Sequence, residues 1–260
     1  MTGQRLEGKR MIVTGAAQGI GLSIARACHA EGAALYLCDK DAERLDTAGE
    51  ALGGRTGRLG WAAGDIADAA AMTRIVEQAT AEIGAINALV NNAGVNVFAP
   101  PLELSEADWQ RCFDINLNGA WNCCRAVLPG MIAAGEGAIV NIASTHAFTI
   151  IPGTFPYPVA KHALLGLTKS LALEFAGQGV RVNAIAPGYV ETQNVTTYWN
   201  SFPDPAAARQ RTLDLHPGGR IARPEEIANA VVFMISDECP FLNAACLTID
   251  GGLSVLHHPT

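Results

Sequence analysis

Short apolar runs alternate with longer amphipathic segments along almost the whole 260-residue chain. The runs have the length of β-strands, whereas the segments carry apolar residues at helical spacing. Because a strand–helix–strand unit closes as a right-handed crossover, this alternation predicts a parallel sheet with helices on both faces. In such a doubly wound α/β fold the ligand binds at the carboxyl ends of the strands.

The apolar runs predict a seven-stranded sheet. The predicted strands are Arg10–Thr14, Ala34–Cys38, Arg58–Ala63, Ile86–Asn91, Gly137–Ala143, Arg181–Ala186 and Cys246–Ile249. The predicted helices are Gly19–Glu31, a segment that ends at Leu52, Ala69–Ile83, Ala107–Ala134, Tyr157–Phe175 and Pro224–Ile235. One long stretch, Gly188–Gly219, is interpreted as irregular because it contains three prolines. Long loops are usually functional, so we predict a substrate lid at about 188–219 on a single domain of residues 1–260.

The charge and the cysteines narrow the class of protein. A net charge of -7 without a basic stripe argues against nucleic acid as a partner. Met1–Arg10 lacks the apolar core of a signal peptide, and no stretch approaches the ~18 apolar residues of a membrane helix. The seven cysteines show no C-x-x-C spacing, so we expect neither a metal site nor disulfides. These features predict a soluble, cytoplasmic protein that acts on a small molecule.

A glycine cluster follows the first predicted strand and opens the first predicted helix. The segment runs from Thr14 to Gly21 and contains Gly15, Gly19 and Gly21. Glycines at a β-to-α junction let the backbone turn tightly and approach a pyrophosphate, and the helix N-terminus supplies free N–H groups. The position of the cluster therefore predicts a dinucleotide-binding turn.

Asp39 ends the second predicted strand, where it can reach the adenosine ribose of such a dinucleotide. A carboxylate there accepts hydrogen bonds from the ribose hydroxyls and repels a 2′-phosphate, so we predict NAD in preference to NADP. The adjacent Lys40 would soften that repulsion. Asp39 could instead cap the following helix, a role that Asp41 could also fill.

The glycine spacing resembles the T-G-x-x-x-G-x-G pattern of the short-chain dehydrogenase/reductase family. The resemblance continues at Asn91–Gly94, Asn116, Ser144, Tyr157–Lys161 (Y-x-x-x-K), Pro187-Gly188, Thr192 and Asp250–Gly252, in the order that the family has them. It implies a Rossmann fold and an NAD(P)-dependent oxidoreductase that acts on CH–OH groups.

The tyrosine and lysine of this pattern predict acid/base chemistry. Tyr157 and Lys161 are four residues apart and share a helix face, where an ammonium would stabilise a phenolate. Tyr157 would then act as the general base in alcohol oxidation and as the general acid in carbonyl reduction. The resemblance implies that Lys161 also bonds the nicotinamide ribose, that Ser144 bonds the substrate oxygen, and that Asn116 holds a water connecting the lysine to solvent. Taken singly, these residues would be a surface tyrosine, a turn serine and a capping asparagine.

The resemblance also assigns cofactor contacts along the chain. It places Asp65 and Ile66 against the adenine, although Asp65 could simply cap the next helix. It places Thr192 and the backbone of Val190 against the nicotinamide carboxamide. The complete predicted set is Gly15, Gln18, Gly19, Ile20, Gly21, Asp39, Asp65, Ile66, Asn92, Ala93, Gly94, Tyr157, Lys161, Pro187, Gly188, Val190 and Thr192.

Substrate residues in this family come from the segment after the serine, the segment before the tyrosine, and the lid. The predicted set is Ser144, His146, Phe155, Tyr157, Gln193, Asn194 and Trp199. Hydrogen-bonding groups mixed with aromatic faces suit a sugar, polyol or sugar acid. His146 could bind a substrate hydroxyl or carboxylate, or it could pack under the lid. His257 and His258 are interpreted as tail residues.

Two other functions compete with this interpretation. A carbonyl reductase of the 3-oxoacyl carrier-protein type would prefer NADPH and a basic residue near Gly15, where this chain has Ala16 and Ala17. A non-catalytic dinucleotide sensor would commonly lack the tyrosine or lysine. The resemblance further implies a homotetramer, with Ala107–Ala134 and Tyr157–Phe175 at the interface.

Overall fold

Seven parallel strands form one sheet across residues 4–256, the part of the chain that the computed structural model describes. The strands are β1 (Arg10–Thr14), β2 (Ala34–Asp39), β3 (Leu59–Ala63), β4 (Ala88–Asn91), β5 (Gly137–Ile142), β6 (Val180–Pro187) and β7 (Cys246–Ile249). Their order is β3-β2-β1-β4-β5-β6-β7. The predicted doubly wound fold is confirmed. His257 and His258 lie outside the described residues.

Helices cover both faces of the sheet. Within residues 4–256 the α-helices are α1 (Gly19–Ala30), α2 (Ala42–Ala51), α3 (Ala69–Ile83), α4 (Glu106–Phe113), α5 (Gly119–Ala134), α6 (Tyr157–Phe175), α7 (Gln193–Asn200), α8 (Pro205–Asp214) and α9 (Pro224–Ile235). None of these helices is long and apolar enough to cross a membrane.

The strand alternation of β1 divides the core into two layers. Met11 and Val13 point to one face and pack in a buried cluster with residues of α1, α2 and α9. Ile12 points to the other face and belongs to a second cluster, which contains residues of α3, α5 and α6. Because β1 pairs with β2 on one side and β4 on the other, the strand order reverses between β1 and β4. A ligand crevice is expected at the carboxyl ends of these two strands.

The prediction that Gly188–Gly219 is irregular is wrong, because this segment contains α7 and α8. Asp204 caps α8 by accepting a hydrogen bond from Ala207 N at 3.0 Å, and Pro205 occupies the first turn. The proline that was interpreted as a helix breaker is therefore a helix start. Trp199 anchors α7 to α8, since its indole N–H donates to Thr212 Oγ1 at 3.0 Å.

The single long helix predicted over Ala107–Ala134 is also corrected. The structure has α4, a π-helical turn at Asp114–Asn118, and α5. Asn116 in that turn donates from Nδ2 to Cys112 O at 2.9 Å and to Val95 O at 2.9 Å. A side chain that bonds the preceding turn and a distant loop accounts for the local widening, and such turns are frequent at functional sites.

Candidate active site

The glycine-rich turn joins β1 to α1 at the point where the strand order reverses. Gly15 and Gly19 have φ angles of +64° and +56°, a region that glycine adopts without strain. A Cβ on Gly21 would lie 2.0 Å from Gly15 O, so only glycine lets α1 pack against the turn. The glycines are thus required by backbone conformation and close packing.

Asn92, at the end of the neighbouring β4, holds the turn in place. Its Nδ2 donates to Thr14 O at 3.0 Å and to Gly15 O at 3.1 Å. In return, Thr14 Oγ1 accepts from the backbone N–H groups of Asn92 and Ala93. The Asn92 amide, which was predicted to contact the cofactor, therefore acts on the turn itself.

The N-terminus of α1 has free hydrogen-bonding capacity. Helices α2, α3, α4 and α8 begin with a side-chain cap, whereas Gln18 makes no cap hydrogen bond to α1. The first turn of α1 carries no acidic residue. A Cβ on Gly19 would lie 3.6 Å from Thr192 Cγ2, so the segment that leads into α7 faces this turn. Free N–H groups and the helix dipole fit the pyrophosphate of a dinucleotide.

Asp39 lies between the second strand and the glycine turn. Its Oδ2 accepts from Ala17 N and its Oδ1 accepts from Asp41 N, both at 3.1 Å. The cap of α2 is Asp41, which accepts from Arg44 N, so Asp39 is not the helix cap. Each Asp39 oxygen keeps a lone pair for a ribose hydroxyl, which fits the predicted role.

The predicted adenine contacts follow β3. Asp65 Oδ1 accepts from Ala67 N at 3.0 Å, and Asp68 is the cap of α3. The alternative in which Asp65 caps that helix is therefore wrong. Ile66 is buried, and its carbonyl accepts from Asn122 Nδ2 at 3.0 Å. This bond fixes the position of the Asp65–Ile66 pair relative to α5.

Tyr157 begins α6 with its phenol beside Ser144, which follows β5. Burial raises the pKa of Tyr157 to about 12, and the neighbouring Ser144 hydroxyl opposes that rise. Ser144 Oγ also accepts from His146 N at 3.2 Å, so the short 3₁₀ helix at Thr145–Ala147 fixes the serine. In this arrangement the phenol is neutral at physiological pH and carries a transferable proton.

Lys161 lies one helical turn after Tyr157 and is almost fully buried. Its Nζ donates to Ile142 O at 3.0 Å and lies 5.5 Å from the centre of the Tyr157 ring. Burial lowers the pKa of Lys161 to about 8. An ammonium has three donors, so capacity is left for a further acceptor such as a ribose hydroxyl.

Gly94 brings Asn116 and Lys161 to the same place. A Cβ on Gly94 would lie 3.0 Å from Asn116 Oδ1 and 3.7 Å from Lys161 Nζ. Asn116 is buried, and its Oδ1 also accepts from Val95 N at 3.1 Å. The structure thus brings the four predicted catalytic side chains together at the carboxyl end of the sheet.

Phe98 is a site residue that the sequence analysis missed. The Phe98 ring meets the Tyr157 ring edge-on, with 5.9 Å between the ring centres. The polar His146 ring meets Tyr157 in the same way, at 5.8 Å. The loop after β4 reaches this position because Ala99 N donates to Phe155 O at 2.8 Å. The apolar residues Val95, Val97 and Phe98 directly follow Asn91–Gly94 in the sequence, and they were the signal that could have pointed to Phe98.

The other predicted substrate residues lie in different surroundings. Phe155 packs against Trp109 at 6.0 Å, while Gln193 and Asn194 are exposed on α7. Trp199 is buried inside the lid with Ala208 and Ile221 rather than beside Tyr157. Because its indole N–H is already bonded within the lid, we leave Trp199 out of the substrate pocket.

The end of β6 carries the remaining predicted cofactor positions. Gly188 follows Pro187 and packs against Asp250, since a Cβ there would lie 2.9 Å from Asp250 Cβ. Val190 forms a parallel bridge with Ala222, which fixes the segment leading to Thr192. The base of the lid is therefore anchored beside the cleft.

The substitution Gly21→Ala is expected to lower the free energy of unfolding by at least about 2 kcal/mol and to weaken NAD binding sharply. The added Cβ would overlap Gly15 O and also approach Asn92 Nδ2 at 2.5 Å. Urea denaturation and calorimetric titration with NAD measure both effects. Gly166→Ala is the matched control, because nothing lies within 4 Å of a Cβ there. Normal stability and normal NAD affinity in the Gly21 variant would contradict the packing argument.

Comparison with known proteins identifies the family. The family model described as enoyl-(acyl carrier protein) reductase matches residues 15–254. The chain is 42% identical to D-threitol dehydrogenase of Mycolicibacterium smegmatis over 251 residues, which covers 96% of this chain and 95% of the relative. It is 39% identical to galactitol 2-dehydrogenase (L-tagatose-forming) of Cereibacter sphaeroides over 253 residues, covering 96% and 97%.

Two further proteins cover nearly all of the chain. The 3-oxoacyl-(acyl-carrier-protein) reductase of Thermotoga maritima is 36% identical over 251 residues, covering 96% of this chain and 100% of the relative. The crystal structure of a gluconate 5-dehydrogenase from Burkholderia cenocepacia, in complex with NADP and tartrate, has a TM-score of 0.89 and 33% identity, covering 97% of this chain and 98% of that one. The chain belongs to the short-chain dehydrogenase/reductase family, whose members are NAD(P)-dependent oxidoreductases acting on CH–OH groups.

Proposed function

We propose that this chain interconverts a secondary hydroxyl of a sugar, polyol or sugar acid with the corresponding carbonyl, with Tyr157 as general acid/base and NAD preferred to NADP. The observation that carries the proposal is the placement of the Tyr157 phenol beside Ser144, with the buried Lys161 ammonium 5.5 Å from the centre of the Tyr157 ring. The hydroxyls of Ser144 and Tyr157 and the ammonium of Lys161 lie together at the carboxyl ends of the strands. This arrangement suits a reaction that moves one proton at a substrate oxygen.

Ser144 and Tyr157 bind the reacting oxygen through their hydroxyl groups. When the carbonyl is reduced, the neutral Tyr157 phenol donates its proton to that oxygen, and in alcohol oxidation the phenolate takes the proton back. Lys161 stabilises the phenolate electrostatically, because its ammonium faces the ring at 5.5 Å. The dinucleotide, when bound, supplies or accepts the hydride.

Asn116 is a positioning residue in this scheme. Its amide bonds the backbone of Val95 and Cys112, which holds the segment after Gly94 against the lysine. A water that links Lys161 to solvent, as predicted, would use the second lone pair of Asn116 Oδ1.

A neutral hydroxyl on the substrate fits His146 better than a carboxylate does. Burial lowers the pKa of His146, so its imidazole is uncharged at neutral pH. Its Nδ1 is buried without a hydrogen-bond partner among the described residues, which leaves Nε2 as the ring nitrogen that can meet a substrate hydroxyl. Phe98 supplies an apolar face beside the same ring. The relatives named for threitol and galactitol support a polyol as the leading substrate class.

Replacing His146 with phenylalanine is expected to raise KM for a polyol about fivefold and to change kcat little. The new ring keeps the edge contact with Tyr157 but loses both nitrogens, and one hydrogen bond to a ligand is worth about 1 kcal/mol. Steady-state kinetics separate the two constants. His162→Phe is the control, since His162 is exposed on α6. An unchanged KM would remove His146 from substrate binding.

Asp39 supports the preference for NAD. Both oxygens of this carboxylate are fixed by backbone N–H groups next to the glycine turn, so its charge cannot swing away from the ribose. Arg44 lies nearby, with Nη1 donating to Gln18 Oε1 at 3.0 Å, and would moderate the repulsion of a 2′-phosphate. The related gluconate 5-dehydrogenase structure contains NADP, so the preference is the feature to test.

For Asp39→Asn we compare kcat/KM measured with NADP to kcat/KM measured with NAD. We expect the ratio of the first to the second to rise by roughly 10- to 100-fold. The amide keeps one acceptor oxygen but removes the charge that repels a 2′-phosphate, an interaction of about 1–3 kcal/mol near a protein surface. Initial rates with each dinucleotide give the ratio. Asp41→Asn serves as control because Asp41 caps α2. A ratio that stays constant would show that Asp39 does not select the cofactor.

The alternative functions have less support. A 3-oxoacyl reductase is represented among the relatives, but Ala16, Ala17 and Asp39 stand where that interpretation requires basic residues. A non-catalytic sensor would not require the four side chains that meet around Gly94 and Tyr157.

We also propose a homotetramer. Val159 and Leu173 on α6 are 42% and 76% exposed, and they offer apolar surface for the interface that the family resemblance implies. Sedimentation velocity measures the assembled mass directly.

A spectrophotometric screen tests the proposed function. NAD and, separately, NADP are offered with aldoses, deoxysugars, polyols, sugar acids and simple secondary alcohols, and the absorbance of the reduced dinucleotide is followed. Turnover with NAD on a polyhydroxylated group supports the proposal. Activity restricted to apolar alcohols, to 3-oxoacyl thioesters or to NADP would overturn the corresponding part of it.

A further inference from the structure

A cavity of about 320 Å³ lies on the outer side of the lid, between α8 and the start of α9. Its lining residues are Glu191, Trp199, Arg209, Leu213, Gly219, Arg220, Ile221 and Arg223. The volume is at the lower end of the range for small-molecule sites, which is roughly 300–1,000 Å³. None of the four proposed catalytic residues lines it. The cavity is therefore separate from the reaction site.

Two guanidinium groups in this cavity form no salt bridge among the described residues, although Glu226 interacts electrostatically with Arg223. Arg220 is held by Glu226 through bonds of 2.7 and 2.8 Å. In residues 4–256, by contrast, Arg209 and Arg223 lie beyond salt-bridge distance of any carboxylate. The planar fork of a guanidinium pairs well with the two oxygens of a carboxylate, so Arg209 and Arg223 suit an anionic ligand in this cavity.

The rest of the lining is suited to a carbon skeleton with hydroxyl groups. Trp199, Leu213 and Ile221 form an apolar floor. The Arg209 guanidinium lies 5.8 Å from the centre of the Trp199 ring, which holds it over that floor. Glu191 adds a carboxylate that can accept hydrogen bonds from ligand hydroxyls.

We propose that this cavity is a second ligand site, which binds a small hydroxy acid. The carboxylate of the ligand pairs with Arg209 and Arg223, its hydroxyls bond Glu191, and its C–H face packs on Trp199 and Ile221. This site goes beyond the proposed dehydrogenase activity and does not depend on it.

The position of the site connects it to the lid. Glu191 N donates to Ala222 O at 2.8 Å, directly beside Val190 and Thr192 at the base of the lid. Arg209 belongs to α8, and Arg223 directly precedes α9. A ligand that bridges these groups holds α8 against the base of the lid, so it is expected to raise the melting temperature.

Calorimetric titration of the cofactor-free protein with D-gluconate tests the site. Glucitol, which has the same carbon chain without the carboxylate, and hexanoate, which lacks the hydroxyls, are the matched probes. The variants are Arg209→Ala and Arg223→Ala, with Arg211→Ala as control, because exposed Arg211 is on the same helix but faces Phe202. If Arg209→Ala does not fold, Arg209→Lys is used instead. It keeps the positive charge but removes the planar guanidinium, so it tests whether that group pairs with the ligand carboxylate. Ser144→Ala reports binding at the reaction site.

We expect gluconate to bind with at least tenfold higher affinity than glucitol or hexanoate. Arg209→Ala and Arg223→Ala are each expected to weaken gluconate at least tenfold, whereas Arg211→Ala and Ser144→Ala leave it unchanged. No binding at millimolar gluconate, equal affinity for glucitol, or a loss confined to Ser144→Ala would overturn the proposal. None of these outcomes depends on turnover, so the test is independent of the proposed reaction.

Discussion

We expect the substitution Tyr157→Phe to lower kcat by about 10²- to 10⁴-fold while NAD binds with nearly unchanged affinity. The substitution removes only the phenol oxygen, which carries the transferable proton and lies beside Ser144. The ring keeps its contacts with Phe98 and His146, so the cleft keeps its shape. Turnover on the best substrate from the screen and calorimetric titration with NAD measure the two effects separately.

Tyr36→Phe is the matched control for this prediction. It also removes a phenol oxygen, but this one belongs to β2 and donates to Glu82 Oε1 on α3 at 3.3 Å, away from the cleft. We expect this variant to keep the wild-type kcat. A Tyr157→Phe enzyme that turns over at the wild-type rate would show that another group transfers the proton.

The fold was largely predictable because buried parallel strands appear in the sequence as apolar runs. The bounds of β1, β7 and α6 agree with the prediction residue for residue, and the start of β4 differs by two residues, at Ala88 instead of Ile86. Local information was also sufficient to find α8, since Asp204 followed by Pro205 is a helix start. The prediction that Gly188–Gly219 is irregular was wrong because its prolines were given more weight than this cap.

Long-range contacts explain what could not be predicted. The π-helical turn depends on Asn116 bonding Val95, 21 residues earlier, and a helical pattern carries no sign of that partner. Phe98 reaches Tyr157 because Ala99 pairs with Phe155, which is equally invisible to local patterns. Spacing alone did place Tyr157 and Lys161 on one helix face, because i, i+4 neighbours always meet.

Burial changes the interpretation of the Tyr157–Lys161 pair. The sequence predicted that the ammonium would lower the pKa of the phenol, but burial raises the pKa of Tyr157 to about 12 and lowers that of Lys161 to about 8. The cofactor-free protein therefore holds a neutral phenol next to a lysine whose charged form is disfavoured. We expect the proposed catalytic role of this site to come at the expense of stability.

Burying the Lys161 ammonium lowers stability, so we expect a second large effect from the substitution Lys161→Met in the cofactor-free protein. The pKa of Lys161 falls from 10.5 to about 8, so burying the ammonium costs roughly 3 kcal/mol at neutral pH. Methionine has a similar volume without the charge, and it gives up the bond to Ile142 O, worth about 1 kcal/mol. We therefore expect the free energy of unfolding to rise by about 2 kcal/mol at pH 7, while kcat falls at least 10²-fold.

The pH dependence of the difference between Lys161→Met and wild type identifies the cause of the gain in stability. Between pH 8 and 10.5 the unfolded wild-type chain still binds the lysine proton that the folded protein has released, so wild-type stability rises with pH. The raised pKa of Tyr157 acts in the opposite direction only above its ordinary value of 10. The advantage of the variant should therefore shrink steadily from pH 8 to 10, as measured by urea denaturation. Lys169→Met, an exposed site on the same helix, should show no such trend. If Lys161→Met were less stable than the wild type at pH 7, the buried ammonium would be a net stabilising group, and the trade of stability for catalysis would not hold.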